Sequence, residues 1–197
     1  MKYNEVFTRE QVLSNIPLAI DGRKLSNDMQ AKVMIMRVAY DKEANSFNQD
    51  MQEIAKGLKK EGFDERTQAI QKMEDVDRRK KAAEEWKEGD VDKDGKKVEK
   101  PAMPTNEEIE EAEKTRSTKE EYDKELAEFN EKYISAHNKK MAEESGMKER
   151  LFTEQEFSEI IGVIGSEGKI SFKNGDNKAE ISREDFLGII AAWLVKA

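Results

Sequence analysis

Cysteine is absent from this 197-residue chain, histidine occurs once, and proline is held to three positions. Without cysteine there is no disulfide, no thiolate nucleophile and no thiolate zinc site, a composition compatible with a reducing compartment. A single imidazole removes most of the remaining metal and acid–base chemistry. Long apolar runs are also missing. No window approaches the roughly 18 to 20 apolar residues that span a bilayer, and the opening MKYNEVFTREQ lacks the apolar core of a secretory signal. The expectation is a chain with no membrane partner that is not secreted by a signal peptide and is found in the cytoplasm or in a virion. Basic charge is in deficit, 35 Lys and Arg against 43 Asp and Glu, for a net −8. This argues against nucleic acid, whose binding needs a concentrated basic surface.

What the chain has in abundance is charge, 40% of residues against 36% apolar, which suits thin helical elements better than a thick core. Met29, Val33, Met36, Tyr40, Ala44, Phe47, Met51, Ile54 and Leu58 recur at steps of three and four, the spacing of one long amphipathic helix. A second stripe, Tyr122, Leu126, Phe129, Tyr133, Ala136 and Met141, is the expected opposing face. Met34, beside the first stripe, is a candidate for contact with a partner. The one basic run, Arg78 to Lys81, has Asp75, Asp77, Glu84 and Glu85 at helical neighbour spacing and reads as a solvated face.

The local signals divide the chain. Thr8 and Gln11 have capping-box spacing for a short first helix that stops before Pro17, and Asp21-Gly22 turns the chain. Ser26 or Asn27 caps the long helix, Gly62 interrupts it, and Phe63 with Asp64 reads as a staple and a new cap for a helix to about Glu88. Residues 89–104, GDVDKDGKKVEKPAMP, read as a loop. Helix resumes after Thr105, with a break near Arg116 and a capping-box pattern at Ser117 and Glu120, and ends near Gly146. Beyond it, Thr153 and Glu156 cap a further helix, 169–172 and 179–181 flank the hairpin sequence KNGDN, and Ser182 caps a final helix. The fold class expected is mainly α, a long antiparallel helical hairpin or bundle with a small α+β base containing a C-terminal β-hairpin. In that division 1–25 and 147–197 form the base and 26–146 the helical arm, reaching on the order of 90 Å if Ser26 to Glu88 is unbroken or folding back at Gly62 into a three-helix bundle.

Few residues carry chemistry. Asp90, Asp92, Asp94 and Gly95 match the first half of an EF-hand calcium loop, yet position 12, where a bidentate glutamate closes the sphere, is Pro101. A calcium-responsive helical module on these aspartates is the alternative reading, and an acidic turn is the simpler one. His137 has no orienting partner or nucleophile legible beside it. Gly162, Gly165, Gly168 and Gly175 match no phosphate-binding fingerprint. No catalytic residue, metal ligand or cofactor site is therefore assigned. The last helix crowds Phe186, Leu187, Ile189, Ile190, Trp193, Leu194 and Val195 into ten positions, apolar around most of its circumference. Phe186, Ile190, Trp193 and Leu194 are accordingly candidates for a subunit interface, unless the preceding helix and hairpin cover them.

The block VLSNIPLAIDGRKLSNDMQAKVMIMRVAYDKEANSFNQDMQEIAKGL, with the later EYDKELAEFNEKYI, resembles small helical proteins of the structural and assembly modules of tailed bacteriophages. The resemblance implies a virion component or assembly factor and transfers no functional residue. The expectation is a non-enzymatic structural or assembly protein acting through protein–protein contacts, as a homo-oligomer or as part of a larger assembly.

Overall fold

Helix caps and turn residues set the element boundaries in the computed structural model, which describes residues 1–87, 99–165, 168–174 and 177–196. The first helix, α1 (Tyr3–Asn15), starts earlier than the Thr8 signal suggests. The Glu5 carboxylate accepts the Lys2 N–H, whereas the Thr8 hydroxyl donates back to the Asn4 carbonyl inside the helix. Ile16 turns to extended backbone ahead of Pro17, as the steric clash before proline requires. Asp21 and Gly22 take φ of 46° and 80°, the left-handed pair of a tight hairpin turn, and join β1 (Ala19–Ile20) to antiparallel β2 (Arg23–Lys24). This small hairpin goes beyond the simple turn expected there.

Ser26 caps α2 (Asn27–Leu58) by accepting the Met29 N–H. The helix ends at Leu58, and Gly62, at φ 72°, is the N-cap of α3 (Phe63–Glu85). No uninterrupted helix of on the order of 90 Å forms, and Asp64 is the second helical residue rather than the cap. Thr105 caps α4 (Asn106–Arg116) in a reciprocal capping box with Glu108, the first of two boxes among the described residues that follow the Thr-x-x-Glu rule. Ser117, expected to be a cap, instead donates to the Lys114 carbonyl in the turn before α5 (Lys119–Ala142). Thr153 and Glu156 form the second box, opening α6 (Glu154–Ile164). Strands β3 (Lys169–Asn174) and β4 (Asn177–Ser182) pair antiparallel, with Ile170 opposite Ile181 and Phe172 opposite Ala179. Their pairing runs through Asn174 and Asn177, the shorter of the two loop lengths the sequence allows. Ser182 then caps α7 (Arg183–Leu194). The protein is mainly α with a small antiparallel hairpin near the C-terminus.

The chain divides into two compact units, Met1–Ile54 with Ser135–Ala197, and Ala55–Ile134. Stretches 26–54 and 135–146, assigned from sequence to the arm, therefore group with the chain ends. The first unit buries Val6, Leu13 and Ile16 of α1, Val33, Met36 and Tyr40 of α2, Ile160 and Ile164 of α6 and Phe186, Ile190 and Leu194 of α7 in one core. Phe47 extends it, with Tyr3 and Phe7 rings each 5.1 Å away. In the second unit Ile70, Met73 and Val76 of α3 pack with Ala112 of α4 and Tyr122 of α5, with Leu126 and Phe129 against them. Thr67 meets Tyr122, Arg66 meets Glu125 and Lys60 meets Glu128, so α3 and α5 run antiparallel. The first half of the α5 stripe, Tyr122, Leu126 and Phe129, thus finds its cover on α3, and the α2 stripe from Met29 to Met51 finds its cover in the first unit. The expected seam between α2 and α5 forms only at one end, where His137 packs edge-on to Phe47 and Lys140 meets Asp50; the rest of the α5 stripe is drawn into a separate core because Gly62 starts a new helix able to face it.

Candidate interaction surface

One face of α2 fills the first core, and the other breaks the usual rule of polarity. Met34, Ile35 and Val38 are 46%, 58% and 64% exposed, and Ala31 lies exposed one turn before Ile35. These four residues stand at neighbouring helical positions and make one apolar stripe in solvent. Its ends are polar: Asp28 and Asn27 before it, Asp41 and Lys42 after it, all exposed. A shallow depression of about 510 Å³ runs alongside, lined by Asp28, Ala31, Lys32, Ile35, Glu149 and Leu151 among others.

The surroundings hold this face rigid. The Lys32 ammonium meets the Glu156 carboxylate at 2.6 Å. Burial raises the affinity of Glu156 for its proton, but the Lys32 ammonium and the Thr153 N–H outweigh it and hold the carboxyl below its ordinary range. Arg37, on the edge of the stripe, donates to the carbonyls of Leu13 at 2.9 Å and Ile16 at 2.5 Å, tying α2 to the C-terminal end of α1. Buried Arg9 pairs with Glu149, and the Tyr40 hydroxyl donates to the Arg150 carbonyl at 3.3 Å. The apolar side chains therefore sit on a supported helix, and chemically the stripe can do one thing, lose water against another apolar surface.

The second unit holds a groove of about 570 Å³ between α3 and α4, floored by Met73, Val76 and Ala112. Three of its charged residues form a linked set. Arg79 bridges Asp75 at 2.9 Å and Glu108 at 2.6 Å, and Arg78 reaches Asp75 at 2.5 Å. The Arg79 guanidinium, with the Thr105 N–H, depresses Glu108 to a pKa of about 2. Of the basic run, Arg78 and Arg79 pair with Asp75 and Lys81 with Glu85 as anticipated, Glu108 of the neighbouring helix adds to them, and Asp77 pairs with Arg116 instead.

The residues singled out from sequence fare differently. Phe186, Ile190 and Leu194 are fully buried in the first core, each 0% exposed. They belong to the interior of their own chain and present no interface. Trp193 is partly buried against the same core. The reason is that α6 and the β3–β4 hairpin, the cover the sequence allowed, pack on this helix together with α1, which it did not foresee. Met34 does face solvent. His137 lies edge-on to Phe47 at 5.5 Å, a packing position in the first unit. Asp90, Asp92 and Asp94 lie outside the described residues. Among the described residues no three His, Asp or Glu side chains are placed to share a metal ion, and no helix is long and apolar enough to cross a membrane.

Ile35 and Val38 were missed because the stripe that marks the core passes on either side of them. The run Val33-Met34-Ile35-Met36-Arg37-Val38 was nevertheless a signal, since a helix apolar around its circumference has more than one face to cover. Comparison with family models, with curated proteins and with solved structures returned no match to this chain.

Proposed function

We propose that this protein is a non-enzymatic structural or assembly component that works through protein–protein contacts, in the manner of the phage modules its Val12–Leu58 and Glu121–Ile134 blocks resemble. In this reading it acts in the cytoplasm during assembly or within the virion. The observation that carries the proposal is the exposed stripe of Ala31, Met34, Ile35 and Val38 on a helix whose opposite face is fully committed to the core. Clustered exposed apolar residues mark contact surfaces more often than isolated ones do. Two observations support the stripe over the α3–α4 groove. Its apolar groups have no cover, and Arg79, Asp75 and Glu108 of the groove already pair with one another.

A photo-crosslinking amino acid at Ile35, compared with one at exposed Gln49 in the native host, tests the reading. Protein adducts formed from position 35 and not from 49 are the expected result. Irradiation that yields no adduct from position 35 would overturn it.

A further inference from the structure

The charges that bracket the α2 stripe narrow its partner. Asp28, Ala31, Ile35, Val38 and Lys42 follow at steps of three, four, three and four, the seam of a two-stranded coiled coil, and all five are exposed. The seam carries a carboxylate at one end and an ammonium at the other, about 21 Å apart along the helix axis. Laid parallel, a second copy of this helix would set Asp28 against Asp28 and Lys42 against Lys42. Laid antiparallel, about a two-fold axis passing between Ile35 and Val38, it brings each Ile35 onto a Val38. The Lys42 stem then covers Ala31 while its ammonium reaches Asp28.

We propose that two copies of this chain pair through α2 in an antiparallel, isologous dimer. The proposal rests on reading this face as a protein-contact surface and names its occupant. An isologous contact needs a self-complementary patch, and this seam is self-complementary in one direction only. The stripe is short beside the roughly 800 Å² per partner of a stable interface, so the dimer is of the weak class and dissociates on dilution.

Sedimentation equilibrium of the full chain, over a concentration series at low salt, reads the pairing directly. Wild type is expected to pass from monomer to dimer, with Ile35→Glu shifting the midpoint at least tenfold upward. Asp28→Lys should weaken pairing and the double variant Asp28→Lys with Lys42→Asp should restore it, while circular dichroism confirms the fold of each. Because the chain has no cysteine, single cysteines give the direction. Asp28→Cys mixed with Asn45→Cys should form a mixed disulfide, and neither should oxidise with itself. Self-linked dimers of each variant would show a parallel pairing and overturn the proposal, as would a wild type that stays monomeric throughout. In that last case, adducts from position 35 to a different protein in the host would leave the contact-surface reading standing and the self-pairing refuted.

Discussion

Arg37 joins two helices through a single guanidinium. Its donors meet the Leu13 carbonyl, which also accepts the Ile16 N–H at the C-cap, and the Ile16 carbonyl at the end of α1. Hydrogen bonds from a charged donor are worth about 1.5–3 kcal/mol, so Arg37→Ala should lower stability by about that amount in urea unfolding. A change within error would show that water replaces the side chain freely. At Phe47, 2% exposed among Tyr3, Phe7 and His137, an aspartate would bury a charge without a partner. We expect Phe47→Asp to cost about 4 kcal/mol or more, Phe129→Asp, half-buried, about 1–2 kcal/mol, and exposed Glu110→Lys under about 0.5 kcal/mol. Three similar thermal midpoints would contradict the core assignments.

The elements owe their ends to a few special positions. Gly165 closes α6 at φ 61° and ψ −133°, a region closed to residues with a side chain, and the Arg23 guanidinium occupies the space where a Cβ would stand. Gly165→Ala should therefore cost about 1–3 kcal/mol, read as a lower denaturation midpoint with unchanged slope. At the start of α4, Glu108 is ionised well below its ordinary pKa of 4.5, down to about 2. A carboxyl whose folded pKa is depressed stabilises the fold above its unfolded pKa and loses that contribution as pH falls through the folded value. The stability advantage of wild type over Glu108→Gln should be full at pH 6, decline below about 4.5 and vanish near 2. Chemical denaturation of both proteins at several pH values measures it, and a difference independent of pH would assign the effect to packing instead of the Arg79 pair.

At the scale of the whole molecule, the stripe on α2 separates stability from association. Ile35 is mostly exposed, so Ile35→Glu should keep the unfolding free energy within about 0.5 kcal/mol of wild type while its association weakens. A large loss of stability would mean that Ile35 belongs to the core. The terminal helix behaves in the opposite way, because Phe186, Ile190 and Leu194 are interior residues, and damage there should unfold the first unit.

Sequence alone determined the features that local chemistry controls. The break at Gly62, the Thr105 start, the Thr153–Glu156 box, the Ser182 cap and the Ile170–Ile181 face all follow from side chains acting on backbone groups within four residues or directly across a strand. The burial of Met29 through Met51 was equally legible, since period alone assigns a helical face to the interior. Which faces meet was decided only in three dimensions. Periodicity says that a stripe must be covered and is silent about what covers it, so the α2 and α5 stripes could be matched along their length from sequence, while in the fold they meet only near Phe47 and His137, α1, α6 and α7 cover most of the first and α3 covers Tyr122 to Phe129 of the second. The same silence hid the candidate site. Ile35 and Val38 are ordinary apolar letters in the sequence, and they become an exposed surface only because the first unit fills its core from the opposite side of α2 and leaves them uncovered.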